Sequence, residues 1–441
     1  MGYTRDDIID LVVDHDVKFI RLQFTDLFGT LKNVAITVSQ LEKALNNECM
    51  VDGASVEGFL HMEENDMYLK PDLDTFVIFP WRPQHGKVAR FLCDLYTADG
   101  KPFTASPRYV LQRAVAKAKE MGYQLQVGPE CEFFLFQTDD SGKPTLVPHD
   151  QATYFDLSPR DMGENTRREI CLTLEDMGFE MENSHHEKAP GQNEVDFRYQ
   201  DALQAADSIM TLKLVVKTVA QRNGLFATFM PKPLNGTNGS GMHINLSLEK
   251  DGNNVFCDAQ DPRGLGLSQL AYQFMAGVLA HMEGLTLLTN PTVNSYKRLR
   301  SGYEAPQAIS WGITNRSPLI RIPNCKADNK HIELRSPDPT CNPYLSFAAI
   351  LMAGLWGIEQ KLDVPEMAEE ALKAQSGLAP DLRALPRDLG EAMEAFAKDT
   401  LIRQTLGEAL CEKYLEAKKR EWDQYQTSVT DWERQQYFGA Y

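Results

Sequence analysis

A glycine-rich loop that leads into an alternating strand, at residues 235–249, is the feature that most constrains the fold. Gly236, Gly239 and Gly241 precede a segment in which apolar and polar side chains alternate. Alternation with a period of two predicts a strand with one face in the core and the other facing water. The apolar face would consist of Met242, Ile244, Leu246 and Leu248, and the polar face of His243, Asn245 and Ser247. An imidazole there could bind a metal, and the glycines would let backbone N–H groups approach a ligand. The alternative is an ordinary surface strand.

The overall composition is that of a globular protein with an acidic surface. Because the chain has 441 residues and exceeds the usual size of one domain, we expect two domains. Lys and Arg number 45 against 62 Asp and Glu, a net charge of −17. This charge argues against binding to nucleic acid or to an anionic membrane, so we expect neither partner. The eight cysteines form no CxxC pair, which favours free thiols in a reducing compartment.

Two further features predict a soluble, cytoplasmic protein. The chain opens with Thr4-Arg5-Asp6-Asp7, an acidic helix start that differs from the basic and apolar pattern of a signal peptide. The longest uncharged apolar run covers residues 344–358. It is shorter than the ~20 residues of a membrane span, so we expect a buried helix.

The order of predicted elements divides the chain near residues 98–106. Residues 1–103 contain a helix followed by alternating strands, which predicts a small α/β domain. In residues 104–441 strands and helices mix, and a Ser-Pro pair at 106–107 predicts the first helix of this larger domain. Residues 362–400 are rich in Ala, Glu and Pro and are predicted to be a peripheral helical insertion.

Four strand segments place carboxylates or an imidazole on a face that is flanked by apolar residues. These residues are Glu130, Glu132, Glu187, Glu194, His243 and Glu333. Carboxylates gathered in this way would repel one another unless a cation lay among them. Because carboxylate-rich sites with a single histidine suit Mg²⁺ or Mn²⁺ better than zinc, the pattern predicts a divalent-cation site. For any one segment, a solvated strand face is the alternative.

A second cluster is basic. Its members are Arg298, Arg316, Arg321 and Arg335. Arginine suits planar, bidentate recognition of a carboxylate or a phosphate. Next to a divalent-cation site, these residues predict a site for an acidic substrate together with a nucleotide. Structural ion pairs are the alternative for each arginine.

Six motifs occur in a characteristic order along nearly the whole chain. They are Asp52-Gly…Ser55, Gly-Pro-Glu-Cys-Glu, His-His-Glu…Gly-Gln-Asn-Glu, Asn-Gly-Ser-Gly-Met-His, Asn-Ser-Tyr-Lys-Arg…Gly-Tyr-Glu-Ala-Pro and Glu-Leu-Arg-Ser-Pro-Asp-Pro…Asn-Pro-Tyr. In this order the motifs resemble glutamine synthetase of the bacterial type I class. The resemblance implies an enzyme of nitrogen assimilation that ligates ammonium to L-glutamate, using ATP as a substrate and γ-glutamyl phosphate as an intermediate.

The resemblance also implies an α+β fold and an assembly. The fold would have a small β-grasp-like N-terminal domain, residues 1–103, and a large catalytic domain, residues 104–441. The catalytic domain would be an open barrel of antiparallel strands surrounded by helices. The assembly would be a homo-oligomer, a dodecamer of two stacked hexameric rings with active sites shared between subunits.

Carried over to the matching positions, the resemblance implies two metal ions per subunit, Mg²⁺ or Mn²⁺. One would be bound by Glu132, Glu187 and Glu194, and the other by Glu130, His243 and Glu333. The residues that would bind glutamate are Arg298, Arg335 and the Asn238-Gly239 loop. Those that would face the transferring phosphate are Arg316, Arg321 and Arg335.

The remaining implied roles concern the nucleotide and ammonium. Tyr199 and Ser247 would lie near the nucleotide. Glu304 would cover the glutamate site, and Asp52 and Tyr154 would help to form the ammonium site. Water must be excluded from such a site, because it would hydrolyse the acyl phosphate.

Two departures from the family pattern bear on regulation. The enteric branch is regulated by nucleotidylation of a tyrosine, but this chain has no tyrosine between Tyr344 and Tyr414. The chain therefore resembles the shorter Gram-positive-type branch. That branch carries an arginine tied to glutamine feedback where this chain has His61, so feedback by glutamine is in doubt.

Two other functions are open. A γ-glutamyl-amine ligase would use another amine in place of ammonium, although the intact Asp52 loop favours ammonium. A catalytically inactive structural relative would have lost metal ligands, whereas all six proposed ligands are present. A regulatory protein partner is also left open.

Overall fold

The computed structural model describes residues 2–56, 59, 66–81, 85–302, 304–313, 316–326, 328–368 and 382–441. Within these ranges the strands are β1 Val17–Thr25, β2 Leu31–Thr37, β3 Cys49–Asp52, β4 Asp66–Ile78, β5 Lys87–Thr97, β6 Gln124–Thr138, β7 Pro144–Pro148, β8 Met181–His186, β9 Gln192–Phe197, β10 Gln200–Asp201, β11 Leu225–Thr228, β12 Met242–Lys250, β13 Asn253–Asn254, β14 Trp311–Gly312, β15 Ile320–Arg321 and β16 Ile332–Leu334. The α-helices are α1 Arg5–Asp14, α2 Leu41–Leu45, α3 Pro107–Glu120, α4 Glu164–Asp176, α5 Ala202–Arg222, α6 Gln269–Thr289, α7 Val293–Leu299, α8 Pro343–Glu359, α9 Leu389–Lys398, α10 Thr400–Leu406, α11 Glu408–Thr427 and α12 Asp431–Tyr437.

The first sheet is formed by the N-terminal strands in the order β2-β1-β5-β4-β3. Strand β1 pairs in parallel with β5, and the other described pairings are antiparallel. Helix α1 begins with a capping box between Thr4 and Asp7 and buries Ile8 and Val12, which belong to the same hydrophobic core as Ile20 of β1. This mixed sheet with its helix is the β-grasp-like arrangement that was expected.

The second sheet is larger and supplies residues to the cavity described below. Its main path is β14-β15-β16-β12-β6-β9-β8, with β7, β10 and β11 paired to β6 and β13 paired to β12. All described pairings are antiparallel except the parallel pair β14–β15. Helices pack around this sheet, which confirms the expected open barrel of mainly antiparallel strands.

Helices α6 and α8 pack in close contact behind this sheet. A Cβ on Gly277 of α6 would lie 2.1 Å from the Ala353 carbonyl oxygen, and a Cβ on Gly357 of α8 would lie 2.2 Å from the Gln273 carbonyl oxygen. Glycine at both positions therefore allows the two backbones to approach. Helix α8 contains the apolar run of the sequence and is almost entirely buried, as predicted.

A buried ionic cluster joins the first sheet to the helices of the second unit. Arg108 of α3 donates to Asp207 of α5 at 2.9 and 3.1 Å, to Asp94 of β5 at 2.8 Å and to Asp72 of β4 at 2.6 Å. Tyr344 of α8 donates its hydroxyl hydrogen to Asp207 at 2.7 Å. Because one guanidinium serves three carboxylates on three elements, the cluster fixes the orientation of the first sheet against the helices.

The predicted peripheral insertion at residues 362–400 is wrong in its described C-terminal part. Helix α9 buries Leu389, Ala392 and Phe396 completely and belongs to the main core. Residues 369–381 lie outside the described ranges. Among the helices that are described, none combines the length and the apolar character needed to cross a membrane.

Candidate active site

The inner face of the second sheet encloses a cavity of about 590 Å³. Among the described residues, seven carboxylates and four guanidiniums line it. The carboxylates belong to Glu130, Glu132, Glu187, Glu194, Asp196, Glu304 and Glu333, and the guanidiniums to Arg298, Arg316, Arg321 and Arg335. The cavity is therefore strongly polar, with an excess of acidic groups.

Strand register brings Glu130, His243 and Glu333 together. Glu130 of β6 lies opposite His243 of β12, and Glu333 of β16 lies opposite Asn245 of β12. His243 Nδ1 is 3.0 Å from Glu130 Oε2 and 3.7 Å from Glu333 Oε1. Each of the three residues offers a donor atom within 4.8 Å of the others. Alternate residues of neighbouring strands thus form one three-ligand group.

A second group forms where β8 turns into β9. His185 Nε2 lies 3.1 Å from Glu187 Oε1 and 3.9 Å from Glu194 Oε2. Glu132 of β6 lies opposite Glu194 of β9. The Gly241 N–H of the loop before β12 donates to Glu132 Oε2 at 2.7 Å, so this backbone group is directed to a carboxylate of the protein.

The negative charges of several cavity carboxylates are not fully compensated by neighbouring groups. Burial and the charge of Glu187 raise the pKa of Glu132 to about 8. Burial, followed by neighbouring carboxylates, raises the pKa of Glu194 and that of Asp196 well above their ordinary values. Asp196 Oδ1 is buried and has no hydrogen-bond partner among the described residues. A cation bound among these oxygens would stabilise their ionised forms, so the donor set fits a divalent metal.

The pKa values of Glu130 and His243 are lowered, in contrast to those of Glu132, Glu194 and Asp196. Burial alone would raise the pKa of Glu130, but hydrogen bonds from His243 and Asn245 outweigh it and lower that pKa to about 2. Burial, together with the charge of Arg335, lowers the pKa of His243. An ionised carboxylate beside a neutral imidazole is the protonation state that metal binding requires.

Three arginines of the cavity pair with a carboxylate or with backbone carbonyl groups. Arg321 and Arg335 both form ion pairs with Glu333. Arg298 donates to the carbonyl oxygens of Ser336 and Pro337 at 2.7 and 3.2 Å, so backbone groups fix its guanidinium. Partners of this kind are structural, yet all four side chains line the same cavity.

At the mouth of the cavity, Glu304 forms an ion pair with Lys188. Tyr154 lies near two cations, with Lys188 Nζ 5.7 Å and the Arg316 guanidinium carbon 5.9 Å from its ring centroid. Glu304 has φ 57°, a left-handed conformation that is uncommon outside glycine. The Asn238–Gly239 loop also lines the cavity.

Three candidate residues do not line the cavity of the described chain. The Asp52 side chain is exposed and accepts hydrogen bonds from Ala54 N and Ser55 Oγ at 3.0 and 2.6 Å. Tyr199 packs against His331, with ring centroids 5.5 Å apart. Ser247 is 6% exposed, so the expectation of a water-facing side on β12 is wrong at this residue. The feedback position His61 lies outside the described residues.

Sequence reasoning assigned no role to His185, Gln192 or Asp196, which also line the cavity. Gln192 Nε2 donates to Glu132 Oε2 at 2.9 Å. His185 and Asp196 stand two residues from Glu187 and Glu194 respectively. Since side chains two apart in a strand share a face, the same periodicity that identified the glutamates predicts Asp196.

Comparison with known proteins identifies the family. A family model described as the glutamine synthetase catalytic domain matches residues 104–437, and one described as the glutamine synthetase beta-Grasp domain matches residues 16–98. The chain belongs to the glutamine synthetase family.

Curated relatives from Gram-positive bacteria agree with the branch that the sequence suggested. A glutamine synthetase of Clostridium saccharobutylicum is 56% identical over 442 residues, and one of Staphylococcus aureus is 52% identical over 443 residues. In both comparisons the alignment covers 100% of this chain and 99% of the relative. The sequence-based identification is thus confirmed, and the chain is a glutamine synthetase-type enzyme.

Solved structures support the same fold. A GmaS/ADP complex has a TM-score of 0.88 at 33% identity and covers 98% of this chain and 100% of its own. A cryo-EM structure of Plasmodium falciparum glutamine synthetase has a TM-score of 0.88 at 25% identity, with 99% of both chains covered. The family fold therefore extends over both sheets.

Proposed function

We propose that the chain ligates ammonium to L-glutamate with ATP and forms L-glutamine through γ-glutamyl phosphate. The observation that carries this proposal is the convergence of acidic and guanidinium side chains in one cavity of a glutamine synthetase-family chain. A side-chain carboxylate is a poor electrophile, whereas an acyl phosphate is a good one. ATP would therefore activate glutamate before ammonium attacks.

The acidic groups of the cavity would hold at least two divalent cations per subunit, Mg²⁺ or Mn²⁺. One set is Glu132, Glu187 and Glu194, and the other is Glu130, His243 and Glu333. Support comes from the raised pKa values of Glu132 and Glu194, which indicate carboxylates without enough positive charge nearby. Bound cations would neutralise charge on the nucleotide phosphates and on the transferred phosphoryl group.

The arginines would bind and orient the acidic substrates. Arg298, Arg335 and the Asn238-Gly239 loop would bind glutamate, while Arg316 and Arg321, together with Arg335, would contact the transferring phosphate. Support comes from their shared cavity lining and from the bidentate geometry of guanidinium. Tyr199 and Ser247 would lie near the nucleotide, which requires the nucleotide to extend beyond the described cavity lining.

Ammonium would be bound and deprotonated at the mouth of the cavity. Glu304 and Tyr154 lie there, and Glu304 would help to exclude water from the acyl phosphate. Asp52 lies in the N-terminal sheet with its carboxylate exposed and outside its own cavity lining. We therefore infer that Asp52 serves the cavity of a neighbouring subunit. The assembly would be a cytoplasmic dodecamer of two hexameric rings. Within each subunit, the two domains would meet between residues 103 and 104.

The direct test is release of phosphate from ATP by the pure protein. We expect release that requires both glutamate and ammonium, and glutamine as the product. Methylamine, ethylamine and putrescine tested in parallel should support much less turnover. Faster turnover with an alkylamine than with ammonium would assign a γ-glutamyl-amine ligase instead, and no turnover with any amine would indicate an inactive relative.

Co-assembly tests the shared site. Asp52→Ala and Glu333→Gln chains, each inactive alone, should regain part of the activity when mixed oligomers form. A Glu333→Gln subunit would supply an intact Asp52 to a neighbour with intact ligands. Native mass spectrometry confirms mixing, and mixed oligomers without recovered activity would show that Asp52 serves its own subunit.

A further inference from the structure

Lys188 lies in the turn between β8 and β9 and extends to the mouth of the cavity. Its Nζ forms an ion pair with Glu304 Oε1 and lies 5.7 Å from the centroid of the Tyr154 ring. The Lys188 and Glu304 side chains are 35% and 37% exposed. The pair therefore lies at the boundary between the cavity and solvent, and none of the roles given above uses Lys188.

The Lys188 head group has the chemistry of a small ammonium ion. It is a primary alkylammonium with a compact charge and three N–H donors. A carboxylate and an aromatic face attract such a cation, the first by charge and hydrogen bonding and the second through the ring quadrupole. Glu304 and Tyr154 supply one of each, so a free ammonium ion would find favourable contacts where the Lys188 Nζ now lies.

Glu304 is also the most accessible carboxylate on the way into the cavity. Glu132, Glu187 and Glu194 are at most 8% exposed, and the Glu130 side chain is 30% exposed, against 37% for the Glu304 side chain. A cation that enters from solvent thus meets Glu304 before it meets the buried carboxylates. Its encounter with Glu304 depends on whether Lys188 already occupies that carboxylate.

We propose that Lys188 is a positioning residue that holds the Glu304 carboxylate and thereby raises the ammonium concentration needed for turnover. The inference rests on the proposed function, because it assumes ammonium as a substrate. While Glu304 is paired with Lys188, it cannot bind ammonium. The apparent affinity for ammonium is therefore the intrinsic affinity multiplied by the fraction of molecules in which Glu304 is unpaired. Lys188 acts through Glu304 and takes no part in the chemical step.

The expected effect is modest because the pair is partly exposed. Ion pairs of this exposure shift an equilibrium by at most about five-fold. Lys188→Met keeps the length and apolar contacts of the side chain but removes the charge. We expect it to lower the KM for ammonium by about two- to five-fold, with the KM values for glutamate and ATP and the value of kcat changed less.

Two matched variants complete the test. Lys188→Arg keeps a cation beside Glu304 and should leave the KM for ammonium at or above that of the unmodified protein. Lys413→Met removes a lysine of similar exposure, 30%, from the Lys413–Glu416 pair on α11, and should change no kinetic constant. Melting temperatures of all three variants check that the fold is retained.

The outcomes separate this inference from the proposed function. Ammonium-dependent turnover in the unmodified protein, with a selective fall in the ammonium KM of Lys188→Met, supports the inference. An unchanged or higher ammonium KM, or equal changes in all three KM values, overturns it while the proposed function stands. Absence of ammonium-dependent turnover in the unmodified protein overturns both.

Discussion

Two groups of residues near the turn between β8 and β9 each contain carboxylates and a histidine. The two groups differ in how the charges of their carboxylates are compensated. The cavity cluster consists of Glu130, Glu132, Glu187, Glu194, Asp196, His243 and Glu333. The paired cluster consists of Asp150, Asp161, Arg167 and His186. Each contains a carboxylate–imidazole triad whose donor atoms lie within 4.8 Å of one another, so residue type and distance alone do not distinguish them.

In the paired cluster all four carboxylate oxygens accept hydrogen bonds. Asp150 accepts from His186 Nε2 at 2.9 Å, from Gly191 N at 2.9 Å and from Met162 N at 3.1 Å. Asp161 accepts from Arg167 at 2.5 and 3.1 Å. Burial would raise the pKa of Asp150, but its bonds with His186 outweigh this and lower the pKa to about 2. These anions need no further cation.

In the cavity cluster the negative charges of Glu132 and Asp196 are compensated less completely. The pKa of Glu132 rises to about 8, and Asp196 Oδ1 has no partner among the described residues. The comparison teaches that hydrogen-bond saturation, and not the presence of acidic residues and histidine, separates a structural network from a candidate metal site. The paired cluster joins the turn that carries Glu187 to Asp150, and the cavity cluster is the candidate metal site.

The largest expected effect is the loss of activity on substitution of Glu333 by Gln. This change removes one ligand of the Glu130–His243–Glu333 triad and the ion pairs with Arg321 and Arg335. We expect turnover to fall on the order of a thousand-fold or more, and bound Mn²⁺ to fall by one ion per chain. Phosphate-release kinetics and elemental analysis measure the two quantities.

Glu180→Gln is the control for that experiment, because the Glu180 side chain is exposed and pairs only weakly with Arg198 at 3.2 Å. It should leave both turnover and metal content unchanged. Normal activity and metal content in Glu333→Gln would remove Glu333 from the metal site and would break the distinction drawn between the two clusters.

The next effect concerns the stability of the paired cluster. Arg167→Met would leave Asp161, which is 2% exposed, as a buried anion without its guanidinium partner. Loss of one partner of a buried ion pair costs about 3 kcal/mol of unfolding free energy or somewhat more. Because the paired cluster holds no metal in our interpretation, the metal content should not change. Thermal or denaturant unfolding, together with elemental analysis, checks both statements.

Arg198→Met is the matched control, since both members of the Arg198–Glu180 pair are largely exposed. An exposed pair of this kind contributes at most about 1 kcal/mol. A loss of bound metal in Arg167→Met without a loss of stability would show that the paired cluster is itself a metal site.

Metal removal should make the stability of the folded protein fall more steeply as pH rises. The folded-state pKa of Glu132, about 8, lies above the ordinary value of 4.5. Between these values the metal-free folded protein keeps a proton that the unfolded chain releases, so the free energy of unfolding falls as pH rises. The slope is at most about 1.4 kcal/mol per pH unit for this group. Saturating Mg²⁺ or Mn²⁺ stabilises the anion and should abolish this contribution.

Melting temperatures from pH 5.5 to 8, with EDTA or with metal, test this expectation. Burial would lower the pKa of His186, but Asp150 outweighs it and raises that pKa. His186 therefore also reduces stability as pH rises above its ordinary value of 6.5, but it does so equally with and without metal. Only the difference between the two curves reports on the cavity, and identical slopes would contradict the assignment of Glu132.

Much of the cavity could be predicted from the sequence because one rule, the alternation of side chains along a strand, determines which residues share a face. That rule placed Glu130 and Glu132 together, with Cys131 buried behind them. It does not say which strands are neighbours, because register depends on pairings between distant segments. The approach of Glu333 to His243 was therefore supplied by family resemblance and not by the pattern.

Other features could not be predicted from the alternation of side chains, because they depend on loops, on closure of the barrel or on the assembly. The paired cluster joins Asp150, Asp161, Arg167 and His186 through hydrogen bonds that depend on loop conformation. The burial of Ser247 depends on the closure of the barrel, which a single strand does not encode. The role of Asp52 in a neighbouring subunit is a property of an assembly, and remains a prediction.

The smallest expected effect is that of Asp196→Asn in the cavity cluster, which is compared with the same substitution at Asp161 in the paired cluster. Asp196→Asn replaces a buried carboxyl group whose pKa is raised well above its ordinary value. Because burial and the neighbouring carboxylates favour the neutral form of this group, a neutral amide of the same shape should change the metal-free unfolding free energy by less than about 1 kcal/mol. Asp161→Asn, in contrast, removes the anion that pairs with Arg167 and should cost about 3 kcal/mol.

Unfolding of both variants in EDTA measures this contrast, and repetition with Mg²⁺ sharpens it. With metal, Asp196→Asn should be stabilised less than the unmodified protein, because the amide no longer adds negative charge beside the bound cations. The metal-induced increase in the stability of Asp161→Asn should equal that of the unmodified protein. If both substitutions cost the same in EDTA, the Asp196 carboxylate is ionised and paired in the metal-free protein, and the two clusters do not differ in the way that their hydrogen bonds indicate.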